Sequence, residues 1–178
     1  KFKKKIPSTD IKKIFKLCEK NNIKYIDTAL AYKNSHKVIG KSKLKNLKII
    51  TKFKLPKEKE NLRHWLEQKL KETLKILKKN NLESIMIHNY KDIFGEKGKI
   101  YLKFLKKLKK KKIINKIGIS IYEKKELDLI WNILKPDLVQ TPINIIDHRF
   151  LQSKWPLKLK KNKIKIFARS CFLQGLLL

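Results

Sequence analysis

Short aliphatic runs, each closed by one polar group, recur along this chain: Tyr25-Ile26-Asp27, Ile49-Ile50-Thr51-Lys52, Ile85-Met86-Ile87-His88 and Ile117-Gly118-Ile119-Ser120. A strand covered on both faces reads as a continuous Ile/Val run, and such strands belong to parallel sheets with helices packed over them. The pattern predicts strands at 23–28, 47–52, 84–88, 116–121, 138–143 and 164–170. Between them the apolar positions switch to helical spacing. Ser8-Thr9-Asp10 offers N-cap candidates for a first helix carrying Ile11, Ile14, Phe15, Leu17 and Cys18, which ends at Asn21-Asn22 and is expected to pack on the strand after it. A shorter helix is predicted at 35–44 and a long amphipathic one at 58–79, marked by Leu62, Trp65, Leu66, Leu70, Leu74 and Leu77. After a loop at 89–98, Ile100, Phe104, Leu105 and Leu108 mark another helix. Two more follow, at 124–134, stopping before Pro136, and more loosely at 147–161.

Six alternations of strand and helix imply an α/β fold, either an open doubly wound sheet or a TIM-type (β/α)8 barrel. A doubly wound dinucleotide fold carries a Gly-rich turn after a strand, and five glycines here form neither GxGxxG nor GxxxxGK[ST]. A barrel instead sets single functional residues at the ends of several strands, which is where this chain has its polar groups. Six strands are visible, so the reading is a single truncated barrel domain over 1–178 with about six of eight strands, lacking the first strand and the last strand with its helix. The start without Met and the end on Leu176-Leu177-Leu178 agree with cut ends. Two unpaired sheet edges predict that the chain alone is poorly stable or aggregates.

Composition changes this picture little. The formal charge of +32 rests almost wholly on lysine, with arginine only at Arg63, Arg149 and Arg169. Base readout and bidentate phosphate clamps favour guanidinium, so no specific nucleic-acid partner is expected, only weak polyanion attraction at low salt. The run 106–112, the most basic in the chain, reads as a solvated helix end. Cys18 and Cys171 have no zinc-like spacing and read as reduced core thiols, which with the lack of a signal peptide or spanning segment points to a cytoplasmic protein without metal or membrane.

The chemistry lies at the strand ends. Asp27, Lys52 and His88 fall at the mouth, with Tyr32 on the loop after the first strand. A phenol titrates near pH 10, so a nearby cation eases proton donation from it. Lys52 supplies that charge, Asp27 holds Lys52 protonated, and His88 reaches a carbonyl oxygen. Such a group polarises a carbonyl and protonates the developing alkoxide, with proton transfer worth roughly 10²- to 10⁴-fold in rate.

These motifs, Tyr-Ile-Asp-Thr-Ala-x-x-Tyr, Ile-Thr-Lys and Ile-His, resemble the aldo-keto reductase family in order and local context. The resemblance implies Tyr32 as proton donor, Lys52 as its activator, Asp27 as the partner of Lys52 and His88 as the group orienting the carbonyl. It further implies NADPH or NADH extended across the barrel mouth without a Gly-rich loop, and a small-molecule carbonyl substrate. Ser120 matches a serine on the nicotinamide carboxamide and Gln140 its glutamine partner. Ile121 stands where the family often has Asn, and Arg169 where many members stack a Tyr on the nicotinamide. Ser170, Leu173 and Gly175 resemble the loop along the cofactor pyrophosphate. The stretches 140–144 and 169–177 are similar to bacterial reductases of polysaccharide and sugar modification.

Three other readings stand beside this one: a non-catalytic or regulatory protein of the same fold, a lysine-driven polyanion-binding module indifferent to Tyr32, and a Schiff-base aldolase using Lys52, disfavoured because Asp27 would keep that lysine charged. His36, His64 and His148 read as surface or helix residues. Trp65, Trp131 and Trp155 read as helix packing.

Overall fold

A computed structural model describes residues 6–42, 47–57 and 61–177, with only the backbone of Gln174. The ends predicted for two helices, at Leu44 and Glu58, lie outside the described residues, as do Lys1 to Lys5 and Leu178. Six strands run parallel in sequence order: β1 (Tyr25–Asp27), β2 (Lys48–Phe53), β3 (Leu82–Ile87), β4 (Ile114–Ser120), β5 (Leu138–Pro142) and β6 (Lys165–Arg169). Helices α1 (Ser8–Lys20), α2 (Ser35–Lys41), α3 (Leu62–Leu77), α4 (Gly95–Lys110), α5 (Lys124–Ile130) and α6 (Trp155–Lys161) alternate with them. Each crossover lands on the adjacent strand, the order of a (β/α)8 barrel followed over six strands.

The sheet is curled. Tyr25 on β1 and Phe167 on β6, at opposite ends of the strand order, meet edge to face with ring centroids 5.4 Å apart. They close over Ile50, Met86 and Leu138, which form an inner cluster separate from the larger core under the helices. Alternation along each strand separates these two layers. The outer set includes Ile49, Phe53, Ile85, Ile87, Ile117, Ile119 and Val139.

The long helices are anchored as their sequences suggest. In α3, Leu62, Leu66, Leu70, Thr73 and Leu77 are buried along one stripe. Asn61 caps it, its side-chain oxygen accepting the His64 N–H at 2.9 Å, and Lys78 ends it in the left-handed region. A single 3-10 turn at Tyr90–Ile93 precedes α4, which starts at Gly95, inside the predicted loop. Gly98 lies against Ile93, where a Cβ would sit 2.1 Å from the Ile93 carbonyl oxygen. The run at 106–112 does end α4 on its exposed side.

Several expectations change. α1 starts after Pro7 with no side-chain cap, so Ser8, Thr9 and Asp10 form its first turn. None of its residues is fully buried: Ile11, Phe15 and Cys18 are half-buried while Ile14 and Leu17 are 47 % and 57 % exposed, so its apolar stripe is covered only in part. β1 itself has no buried residue, because it pairs on one side only. α5 stops at Ile130, and of the loose helix at 147–161 only Trp155–Lys161 is helical. Neither thiol is in the core: Cys18 is half-buried and Cys171 exposed.

Candidate active site

The period-2 alternation that buries Ile50 and Met86 inside the curl carries the next same-face residue of each strand to its C-terminal end. On β1 this is Asp27, two residues beyond Tyr25, and on β2 it is Lys52, two beyond Ile50; His88 follows Met86, and Gln140 follows Leu138. Ser120 lies opposite Gln140 in the β4–β5 register, and Arg169 closes β6 opposite Pro142. Thus six of the predicted site residues, five on different strands and His88 directly after β3, gather toward one end of the sheet.

Lys52 is the centre of this group. Its side chain runs through the sheet interior, leaving the residue 1 % exposed, and its ammonium meets both Asp27 carboxylate oxygens at 2.6 Å. It also donates to the Thr28 carbonyl at 3.3 Å and to the Tyr32 hydroxyl at 3.4 Å. Burying an ammonium is costly unless it is paired and hydrogen-bonded, and these oxygens fulfil that condition.

Tyr32 reaches the group from the β1–α2 loop. Three bonds shape that loop: the Leu30 N–H donates to the Lys52 carbonyl at 3.1 Å, the Ser35 N–H to the Tyr32 carbonyl at 2.8 Å, and the Thr28 and Ser35 hydroxyls pair at 2.6 Å. The Tyr32 ring stands perpendicular to that of His88, with centroids 6.3 Å apart. It is 45 % exposed, so the phenol faces both the buried ammonium and the open mouth.

His88 is set beside β2 by its N–H donating to the Phe53 carbonyl at 3.0 Å. Burial first, then the positive charges of Lys52 and Lys54, hold its imidazole below the ordinary 6.5, against the opposing pull of Asp27. It is therefore neutral at pH 7, with one N–H to donate and one nitrogen to accept.

Three buried polar atoms of this mouth have no partner among the described residues: His88 Nδ1, Gln140 Oε1 and Arg169 Nε. Unpaired buried polar atoms are few in native proteins, and three of the seven among the described residues belong to residues of this mouth, which suits it to a polar ligand. Arg169 is otherwise engaged. Its Nη2 donates to the Ile121 carbonyl at 3.2 Å and its guanidinium lies 4.0 Å from the centre of the Tyr122 ring. Beyond it the chain turns through left-handed backbone at Ser170, Leu173 and Gly175, around a 3-10 turn at Leu173–Gly175.

Sequence reasoning passed over four contributors. His36 is buried in α2, its Nε2 3.0 Å from the Thr51 hydroxyl, so it is no surface residue; His64 and His148 are exposed as expected. Thr28 and Ser35 tie the loop of Tyr32, and Tyr122 stacks on Arg169. The tryptophans do pack: Trp155 is buried against Trp131, and Trp65 borders the outer core. Among the described residues no group of His, Cys, Asp and Glu could hold a metal, and no helix is long and apolar enough to cross a membrane.

Comparison with known proteins agrees with this architecture. The model of the aldo/keto reductase family matches residues 2–178. No curated protein matches the sequence. Solved structures do: an aldo-keto reductase from Pseudomonas aeruginosa superposes with a TM-score of 0.75 at 19 % identity, over 96 % of this chain and 67 % of that one. The holo form of aldo-keto reductase AKR11C1 from Bacillus halodurans gives 0.75 at 18 % identity, over 96 % and 60 %. An aldo/keto reductase from Klebsiella pneumoniae in complex with NADP and acetate gives 0.76 at 12 % identity, over 94 % and 60 %. This chain thus spans about two thirds or less of the length of these proteins.

Proposed function

Because the chain belongs to the aldo/keto reductase family, we propose that it carries the catalytic mouth of a nicotinamide-dependent reductase that converts an aldehyde or ketone to an alcohol. The observation that carries this reading is the buried Lys52 ammonium, held by the Asp27 carboxylate at 2.6 Å and reaching the Tyr32 hydroxyl at 3.4 Å. A buried ammonium held between a carboxylate and a phenol is an arrangement that favours the ionised phenol and so eases release of its proton.

In this reading the substrate carbonyl oxygen lies between Tyr32 and His88. The neutral His88 orients it by donating its N–H, and Tyr32 O–H gives up the proton as the oxygen gains charge. Lys52 then stabilises the phenolate left behind, and Asp27 keeps the ammonium in place. NADPH or NADH, when bound, supplies the hydride that adds to the carbonyl carbon. The residues present fit a nicotinamide: Gln140 Oε1 is a buried acceptor without a partner among the described residues, Ser120 is its register neighbour on the adjacent strand, and a carboxamide offers the missing N–H. Arg169 would border that ring, and the backbone of Ser170, Leu173 and Gly175 would follow the pyrophosphate. Small carbonyl compounds, sugar-derived ones first, are the substrates to try.

The test is NADPH and NADH oxidation by the full-length protein that contains this chain, with a panel of aldehydes and keto-sugars, beside Tyr32→Phe. Turnover is expected to fall by about two orders of magnitude or more in the variant. Cofactor binding without any Tyr32-dependent turnover would leave the non-catalytic member of the family as the better reading.

A further inference from the structure

Arginine is rare here. The chain has 44 lysines and three arginines, so a guanidinium at the end of β6 calls for a reason beyond charge. What a guanidinium has and an ammonium lacks is a plane. In the structure that plane is fixed from several sides. The Ile121 carbonyl accepts from Nη2 at 3.2 Å, the Ser170 hydroxyl lies 3.5 Å from Nη1, and Nε is buried. The guanidinium Cζ stands over the Tyr122 ring, 4.0 Å from the ring centroid. Tyr122 is 65 % exposed, so burial does little to order it, and its ordered contact is with Arg169.

The register locates this stack. Arg169 lies opposite Pro142, two residues along β5 from Gln140, and Tyr122 follows Ser120 by two residues. A ring whose carboxamide reaches Gln140 and Ser120 would therefore lie beside the guanidinium.

We propose that Tyr122 is a positioning residue for the cofactor: by backing one face of Arg169 it holds the guanidinium flat at the mouth, so that the opposite face is presented to the nicotinamide. The inference rests on the reductase reading above. Tyr122 touches Arg169 and acts through it. A free arginine samples many rotamers, and a backed plane loses less freedom when a second ring stacks on it.

The test is calorimetric titration of NADPH and of NADH into the full-length protein, for the wild type, Tyr122→Phe, Tyr122→Leu, Arg169→Leu and the Tyr122→Leu/Arg169→Leu double variant. Tyr122→Leu is expected to weaken binding of the nicotinamide cofactor by about two- to fivefold, the range of an exposed cation–π contact. Tyr122→Phe keeps the ring and is expected to bind as the wild type does. In the Arg169→Leu background the second substitution is expected to add nothing, a coupling that loss of general packing would not produce. Binding by Tyr122→Leu equal to wild type overturns the inference while leaving the reductase reading intact, and so does a loss of the same size with and without Arg169. If the wild type binds neither cofactor, the reductase reading falls and this inference with it.

Discussion

His36 and His88 are both held below the ordinary imidazole value of 6.5, and for the same leading reason, burial. The consequence for stability has a definite sign. A group that binds its proton less tightly when folded favours the fold above its unfolded value, and that contribution is lost as the pH falls through the lowered folded value. The urea midpoint is therefore expected to be flat above about pH 6.5 and to drop below it. His36→Gln, which keeps a polar partner for Thr51 and cannot charge, is expected to make that drop shallower. Equal slopes in the two proteins would rule out His36 as a source. At this scale the sequence was readable where a residue closes a patterned run, as Asp27, Lys52 and His88 do. It read His36 only as a surface or helix residue, missing its burial against Thr51 on another element, and it was silent on Tyr122, an exposed ring in a loop with no periodicity to mark it.

Elements were legible in kind and order, because strands and helices differ in their apolar period, and less so in what covers them. The stripe of α1 and the apolar residues of β1 have the pattern of packed elements, yet none is more than half-buried; a pattern shows which face can be covered and not how fully a neighbour covers it. Glycines separate close contacts that yield from those that do not. A Cβ at Gly40 would stand 1.9 Å from the Ile76 carbonyl oxygen, backbone against backbone, so α2 and α3 would have to part. At Gly118 the nearest atom is Met86 Cγ, 2.5 Å away on a flexible side chain. Gly40→Ala is thus expected to destabilise the protein by about 1–3 kcal/mol and Gly118→Ala by less. Urea denaturation of the pair checks the order, and the reverse order would refute the argument.

Over the whole molecule, a charge of +32 spread on 44 lysines attracts any polyanion. Binding to heparin is expected to fall steeply and log-linearly with salt and to be the same in wild type and Tyr32→Phe, as measured by elution from a heparin column at several salt concentrations. A difference between the two would tie the surface charge to the mouth. Lys52 stands apart from this surface charge: among the described residues it is the one buried lysine, with its amine closed in by Asp27 and Thr28. The fold thus shields this amine from reagents while the exposed lysines among the described residues stay open to them. Mild acetylation should strip the molecule of its exposed cations, and its hold on polyanions, before the reagent finds Lys52, so that peptide mass mapping would show that residue among the last unlabelled amines of a protein whose net charge has turned negative.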